Sequence, residues 1–384
     1  MTQQNPQTQD PPYPGARIGI AGGGLLGTLM AWQLAERGYR VTIFEAGSAE
    51  RNLSAAHTAA GMLAPISEAA AAEPCVYTLG LHGIERWHQW LEQLGEGAKH
   101  CIHNKGSLLV AHPQDESELD QFMLDSRTLR GQPHARIEPL DGGDIQSLEP
   151  DLNPQLRRGI FLSPEAHLDN RQILARLDAR LAALDVERIY NTQVVPRAKQ
   201  ILDTQSQTAR PFCLVIDCRG AGARHCLHNL RGVRGETLHL ETTEVSLSRP
   251  VRLMHPRYQL YVVPKPGNRY VIGATQIESE DLAPITLQSS LELSSAVYTL
   301  SPAFAEARIL EAGVNLRPAF ASNFPQLQCE PGLLRLNGLF RHGYLLAPAL
   351  VDCALAQITG ESESPHKRYF IEPKQALSLS RASV

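Results

Sequence analysis

The sequence of 384 residues lacks the features that mark several classes of protein. Its seven cysteines are scattered, odd in number and without a CxxC pair. This argues against a disulfide framework or a zinc site and favours reduced thiols in a cytoplasm. Charge of neither sign dominates, because the formal net charge is −4. The composition therefore gives no reason to expect nucleic acid or an acidic membrane as a partner.

Long hydrophobic runs are also missing, with one apparent exception at residues 18–35. The glycines of that stretch, together with Gln33, argue against a signal peptide or a membrane span. A chain of this length can bury a large core and is predicted to form two domains. Residues 1–15 are rich in Gln, Pro and Thr, so we expect them to be disordered.

The most informative stretch is 17–45, which alternates strand, turn, helix and strand patterns. The apolar run Ile18–Ala21 predicts a buried strand, and Arg40–Phe44 predicts a second one. Between them a helical pattern opens on glycines at GxGxxG spacing. These glycines are Gly22, Gly24 and Gly27. The arrangement predicts a dinucleotide-binding fold.

Each residue of this motif has a physical role. Gly22 permits a tight turn, Gly24 lets the backbone approach a pyrophosphate, and Gly27 lets the helix pack closely on the sheet. The helix N-terminus offers unpaired N–H groups to the phosphates. Glu45 ends the second strand and can accept hydrogen bonds from a ribose 2′-hydroxyl. An acidic residue there favours FAD or NAD over NADP.

The remaining patterns alternate between helices and strands, with a β-rich stretch from 233 to 274. Residues 259–264 and 269–274 are predicted to form a hairpin, with Tyr261 and Val263 on one face. Pro348 is assigned to the first turn of the last helix. Predicted helices are 76–95, 115–129, 170–184, 287–298, 302–307 and a last one ending at 358. Predicted strands include 106–111, 190–196, 212–217, 233–240, 252–254, 311–318 and 333–336.

Two glycine-containing segments allow two interpretations. The turn Cys218–Gly222 follows a buried strand and is either part of a cofactor cradle or only a turn. The segment Ala59–Leu63 either brings its backbone close to a ligand or forms the tightly packed start of a helix.

Five pieces of the sequence together resemble FAD-dependent amine oxidases of the D-amino-acid oxidase superfamily, and within it the glycine oxidase branch, which is associated with thiamine thiazole synthesis. The resemblance covers roughly residues 16–360, nearly the whole chain. The pieces are GIAGGGLLG, AAGMLAP, YVVPKPGNRYVIGAT, LRPAF and LFRHGYLLAPA.

The resemblance implies an α/β fold with a discontinuous Rossmann-type FAD-binding domain and a mostly antiparallel β-sheet (α+β) substrate domain. The expected FAD-binding domain consists of 16–75, 145–230 and 315–365. The expected substrate domain consists of 76–144 and 231–314, and 1–15 and 366–384 are tails.

The resemblance also implies non-covalent FAD and no metal. Sarcosine oxidases of one class attach flavin to a cysteine, and residues 317–325 contain none. The residues implied to contact FAD, together with the motif glycines, are Gly22, Gly24, Leu25, Leu26, Gly27, Glu45, Ala46, Ala60, Gly61, Met62, Val194, Phe340, Arg341, His342, Gly343, Tyr344, Leu345 and Leu346.

Four residues are implied to line the substrate pocket. Arg317 matches the arginine that binds the substrate carboxylate, and Tyr261 matches an active-site tyrosine. Arg341 and Glu68 are expected beside them. The alternatives are a structural salt bridge for Arg317 and a hairpin core position for Tyr261.

The implied reaction oxidises glycine or another small amino acid or amine to an imine. A hydride passes to flavin, and oxygen is the acceptor that yields hydrogen peroxide. The imine hydrolyses to glyoxylate and ammonia or feeds thiazole synthesis. We expect a cytoplasmic enzyme without a membrane span. Whether it forms a homo-oligomer is left open.

Three departures from the family pattern leave the choice of glycine open. Gln259 stands where His is frequent, Gln276 stands where Met is frequent, and AFASNFPQL follows Arg317–Pro318 in place of a DGxPxIG pattern. Two other functions therefore stay open. One is a D-amino-acid dehydrogenase that passes electrons to a quinone, and the other is a flavin-binding protein without turnover.

Overall fold

The computed structural model describes residues 13–50, 54–129, 131–132, 134–257, 259–360 and 364–370. Most of the two predicted tails, 1–15 and 366–384, therefore lies outside the described residues. The prediction that 1–15 is disordered falls mostly on residues outside that range.

The described helices and strands are numbered in chain order. The strands are β1 Arg17–Ala21, β2 Arg40–Phe44, β3 Met62–Leu63, β4 Ile102–His103, β5 Ser107–Ala111, β6 Ile137–Asp141, β7 Arg158–Leu162, β8 Ala166–Leu168, β9 Glu187–Ile189, β10 Val194–Arg197, β11 Gln200–Asp203, β12 Ala209–Pro211, β13 Leu214–Asp217, β14 Arg231–Glu241, β15 Val251–Met254, β16 Gln259–Lys265, β17 Arg269–Gly273, β18 Arg308–Ala319, β19 Gln326–Glu330 and β20 Leu333–Asn337. The helices are α1 Leu25–Glu36, α2 Ala55–Thr58, α3 Pro65–Ala69, α4 Cys75–Gln93, α5 Ser117–Asp125, α6 Gly142–Leu148, α7 Asn170–Ala183, α8 Leu287–Leu300, α9 Gly343–Thr359 and α10 Lys367–Phe370.

A six-stranded sheet carries the dinucleotide motif. Its order is β19-β20-β13-β1-β2-β9, and its strands run parallel except for the edge strand β19. Ile18 and Ile20 of β1 are fully buried, as expected for a central parallel strand covered on both faces. β20 comes from the end of the chain and pairs with β13. The return of the chain to the nucleotide fold after a β-rich stretch is confirmed.

An eight-stranded sheet forms the other large layer. Its order is β18-β14-β17-β16-β15-β5-β7-β6, and among the described strands its pairs are antiparallel except β15–β5. The predicted hairpin is present as β16–β17. Leu260 and Val262 face the core under α8, whereas Tyr261 and Val263 face the other side with Val271. The mixed α/β class and its antiparallel second part are confirmed.

The domain boundaries stay a prediction, although two observations bear on them. β7, assigned to the FAD-binding part, pairs with β5 and β6 in the eight-stranded sheet. α4, assigned to the substrate part, shares a core with α1 and α9 of the nucleotide fold. Among the helices that the structure describes, none has the length and hydropathy that crossing a membrane requires.

The prediction of one strand over 190–196 is wrong. The chain forms β9 in the six-stranded sheet and β10 in a separate three-stranded sheet, β10-β11-β12. Between them Asn191 has φ +53°, a left-handed conformation that ends a strand and that Asn tolerates. The predicted strand therefore spans a turn that connects two different sheets.

The assignment of Pro348 to the first helical turn is also wrong. α9 begins at Gly343, so Pro348 lies in its second turn, where it cannot donate to the carbonyl of Tyr344. The indole Nε1 of Trp87, on α4, donates to that carbonyl at 2.7 Å instead. The proline is tolerated because another helix supplies the missing donor.

Candidate active site

A cavity of about 1380 Å³ lies between the two large sheets. Pockets for small molecules usually measure about 300–1,000 Å³, so this cavity has room for a large cofactor and a substrate together. The start of α1 and the end of β2 line one end, and β14, β16 and β18 line the other.

The glycines of the motif have the geometry that their spacing predicted. Gly22 has φ +98°, and a Cβ there would lie 2.6 Å from the carbonyl oxygen of Cys218. A Cβ on Gly27 would lie 1.9 Å from the carbonyl oxygen of Gly22. A Cβ on Gly24 would meet only Ser54, at 3.6 Å, so this glycine leaves the cavity side open. Gly22 and Gly27 thus serve packing, and Gly24 serves access.

Glu45 lines the cavity at the end of β2 and also organises the turn. Its Oε2 accepts from the Gly23 N–H at 2.6 Å, and its Oε1 accepts from the Gly47 N–H at 2.8 Å. A carboxylate has lone pairs for further donors, so these bonds leave capacity for ribose hydroxyls.

Two helices begin in the cavity. α1 starts after Gly24 and α9 after His342, and neither start has a side-chain cap. Their first N–H groups therefore face the cavity with the positive end of the helix dipole. One such terminus suits phosphates, and the second suits an oxygen that carries partial negative charge.

The structure brings most of the predicted cofactor residues to this cavity. Those that line it are Gly22, Gly24, Leu25, Leu26, Glu45, Ala46, Ala60, Gly61, Met62, Phe340, Arg341, His342, Gly343, Tyr344 and Leu345. Gly27 and Leu346 are packed behind the wall, and Val194 lies away from it in a small core with Phe44. The Val194 carbonyl accepts from Arg219 at 3.2 Å. The turn Cys218–Gly222 does line the cavity.

The four predicted substrate residues meet at the other end. Arg317 of β18 and Tyr261 of β16 lie within hydrogen-bonding reach of each other. Nη1 of Arg317 donates to the carbonyls of Thr275 at 3.0 Å and Arg234 at 3.3 Å. Among the described residues, no carboxylate lies within 4.0 Å of the Arg317 guanidinium. Burial raises the pKa of Tyr261, so its hydroxyl stays protonated at neutral pH, and burial lowers the pKa of Arg317.

Glu68, at the end of α3, holds the loop that precedes α9. Its Oε2 lies 2.6 Å from Nε of Arg341 and 3.0 Å from Nδ1 of His342. Burial alone would raise the pKa of Glu68, but the charge of Arg341 and the contacts of His342 outweigh it and hold that pKa far below its ordinary value. Glu68 is thus a permanent anion and is unsuited to act as a proton acceptor near neutral pH.

Sequence reasoning did not single out several residues that line the cavity. Arg252 of β15 is 6% exposed and acts electrostatically on Glu68 and on the buried Glu165. Its signal in the sequence was an arginine inside an apolar strand. Gly235 and Thr237 of β14 also line the cavity, where the pairing of β14 with β17 and β18 places them.

The residues that line the cavity fit FAD. The close-packed glycines, the uncapped α1 terminus, Glu45 and the second helix terminus at α9 are the elements that a flavin dinucleotide needs along its length. The cavity connects them to a cationic substrate end. The fold and the site thus define a dinucleotide-dependent oxidoreductase.

The sequence matches the family described as FAD dependent oxidoreductase (DAO) over residues 17–354. The chain belongs to this family, and the expected cofactor is confirmed as FAD.

Two related sequences and one solved structure are similar to this chain over most of its length. A Rhizobium etli protein assigned as the thiamine biosynthesis oxidoreductase ThiO is 43% identical over 353 residues, which cover 92% of this chain and 99% of that protein. Glycine oxidase of Geobacillus kaustophilus is 29% identical over 368 residues, which cover 90% and 93% of the two chains. The structure of iminodiacetate oxidase from Chelativorans sp. BNC1 matches with a TM-score of 0.79 and 25% identity, over 92% and 98% of the chains. The resemblance to the glycine oxidase branch is therefore confirmed.

Proposed function

We propose that this protein is an amine oxidase that converts glycine or another small amino acid to an imine. Oxygen is the electron acceptor and yields hydrogen peroxide, and FAD is bound without a covalent link. The imine hydrolyses to glyoxylate and ammonia or feeds thiazole synthesis.

The proposal rests mainly on the surroundings of Arg317, that is, on its enclosure and its hydrogen-bond partners. The guanidinium of Arg317 is largely enclosed, faces the cavity and donates to two carbonyls, and no carboxylate of the described residues lies within 4.0 Å of it. A buried cation without a counterion is costly, so the site favours a ligand that brings a carboxylate. The planar group can hold a carboxylate through two parallel hydrogen bonds.

The other residues of this end shape the site around that anchor. Tyr261 fixes the guanidinium from one side and offers its hydroxyl to the bound ligand. Glu68 holds Arg341 in the wall through their 2.6 Å contact. FAD, when bound, supplies the hydride acceptor. Because hydride leaves a neutral amine directly, the protein needs to orient the substrate and exclude water rather than supply a strong base.

The relatives support the finer parts of the proposal. The Rhizobium protein is assigned to thiamine biosynthesis, and the Geobacillus protein is a glycine oxidase. The structural neighbour from Chelativorans is an oxidase of iminodiacetate, a secondary amine with two carboxylates. A substrate series should therefore cover primary and secondary amines with one or two carboxylates.

Anaerobic mixing of the purified yellow protein with glycine, sarcosine, D-alanine and iminodiacetate tests the proposal. We expect at least one of them to bleach the flavin absorbance, and air to restore it with one peroxide per substrate. Bleaching that a quinone analogue reverses but oxygen does not would replace the oxidase with a dehydrogenase. Flavin that no amine reduces would contradict catalysis on amines.

A further inference from the structure

One wall of the cavity is irregular. The segment 55–62 lines it over most of its length. The segment contains only the one-turn helix α2 and the first residue of the two-residue strand β3. Regular secondary structure therefore does little to fix its position.

Side chains from other elements bind the carbonyls of this wall instead. Nδ2 of Asn170, the first residue of α7, donates to the carbonyls of Ala56 at 2.9 Å and Ala59 at 2.7 Å. The hydroxyl of Tyr344, on α9, donates to Ala56 at 3.1 Å. The carbonyls of this wall are thus held by side-chain donors from α7 and α9.

Lys265 adds a further donor to this wall, at Ala60. It is the last residue of β16, and its Nζ donates to the carbonyls of Ala60 at 2.7 Å and Leu168 at 2.5 Å. The next residue of the wall, Gly61, has φ +71°, and its carbonyl accepts from Leu168 N–H at 2.8 Å. One ammonium group therefore joins the hairpin, the wall and the end of β8.

A neutral donor would satisfy these two carbonyls at lower cost. Burial lowers the pKa of Lys265 to about 7, with Asp169 acting in the opposite direction and Arg171 in the same one. Enclosing an ammonium group costs free energy unless the charge is paired as well as hydrogen-bonded, and the acceptors of this ammonium are two neutral carbonyls. Here the charge stands directly behind Ala60, which lines the cofactor cavity.

We propose that Lys265 is a positioning residue for the cofactor: it holds Ala60 and Gly61 in the cavity wall and places a positive charge behind them that favours the reduced cofactor. This inference rests on the proposed FAD site. A reduced flavin carries more negative charge than an oxidised one, so a nearby cation binds the reduced form more tightly. Removing the charge should lower the midpoint potential.

Three substitutions separate the donor from the charge. Lys265→Met removes both, Lys265→Gln keeps an N–H donor without charge, and Lys265→Arg keeps both. Lys99→Met is the control, because the Lys99 side chain is 56% exposed and its ammonium lies 3.9 Å from Glu92 on the surface. For each purified protein, FAD affinity is measured by titration of the apoprotein, and the midpoint potential by equilibration with a reference dye.

We expect the Met variant to bind FAD at least tenfold more weakly, with the Gln variant between it and the wild type. In both, the preference for reduced over oxidised cofactor should fall about tenfold, which is about 30 mV for two electrons. The Arg variant and Lys99→Met should match the wild type. Folded Met and Gln variants with wild-type affinity and potential would overturn the proposal, even if they melt earlier.

Hydrogen exchange of the apoprotein gives a readout that needs no cofactor. Amides of 59–62 should exchange faster in Lys265→Met than in Lys99→Met, and an unchanged rate would overturn the positioning role. If the wild type itself binds no FAD, the proposed function fails, while this exchange experiment still decides whether Lys265 holds the wall.

Discussion

The guanidinium of Arg317 lies flat against Gly235 on the neighbouring strand. A Cβ on Gly235 would come 2.5 Å from Cζ of Arg317, closer than any side-chain carbon can approach. The two residues belong to β18 and β14, which pair antiparallel with Val233 opposite Arg317. Because Gly235 has no side chain, the guanidinium of Arg317 on β18 can lie against β14 in the cavity.

Gly235→Ala should displace Arg317 without touching the cofactor motif. We expect the KM for amino-acid substrates to rise about tenfold or more, because overpacking of this kind costs about 1–3 kcal/mol. FAD content should stay at the wild-type level. Steady-state kinetics and the flavin-to-protein absorbance ratio measure both quantities.

Gly142→Ala is the matched control, because a Cβ there meets its nearest atom at 3.4 Å. A Gly235→Ala enzyme with unchanged KM would show that Arg317 does not need this platform.

Replacing Arg317 itself tests the carboxylate anchor. Arg317→Ala should lose about 2–5 kcal/mol of charge-assisted binding, so substrate affinity should fall by orders of magnitude. Arg317→Lys should recover only part, because a point charge cannot reproduce a two-pronged contact. The measurement is the substrate concentration at half-maximal anaerobic flavin reduction. Wild-type affinity in Arg317→Ala, or joint loss of FAD and folding, would make the residue structural.

The sequence predicted those parts of the site whose chemistry is local. The spacing of Gly22, Gly24 and Gly27 carries its own geometric reason, and each glycine has the neighbours that the reason requires. The hairpin around residues 265–268 was predictable for the same reason, since turn residues and alternation lie side by side in the chain.

The remaining features depend on contacts between distant segments. Gly235 and Arg317 are 82 positions apart, and Glu68 and Arg341 are 273 positions apart, as their numbers show. Nothing near Gly235 in the sequence indicates that a guanidinium will lie on it. The roles of Arg252 and Lys265 likewise follow only from which backbone and which charges surround them after folding.

The hydrogen bond from Trp87 to the Tyr344 carbonyl, the acceptor that Pro348 leaves without a helical donor, gives a prediction about stability. Trp87→Phe removes the donor to the Tyr344 carbonyl, and leaving that buried acceptor unpaired should cost about 1–3 kcal/mol. Pro348→Ala restores a helical N–H at the position that can donate to Tyr344. Adding it to Trp87→Phe should therefore recover part of the loss, and urea unfolding of all four proteins measures this coupling. Strict additivity of the two single changes would contradict it.

Acid stability should depend on His239, which lies 3.3 Å from Nη2 of Arg171. Burial, followed by the charge of Arg171, lowers the pKa of His239 to about 4 from the ordinary 6.5, against the opposing charge of Glu311. Between these two values the unfolded chain binds a proton that the folded chain does not. The free energy of unfolding must therefore fall as the pH decreases through this window.

His239→Gln keeps a polar partner for Arg171 and removes the titration. We expect its stability to decline less than that of the wild type between pH 6.5 and pH 4, by about 3 kcal/mol at the acid end. Exposed His228 supplies the control, His228→Gln, which should follow the wild-type curve. The measurement is urea unfolding at half-unit pH steps. Parallel curves for His239→Gln and the wild type would show that His239 takes up its proton equally well in the folded protein.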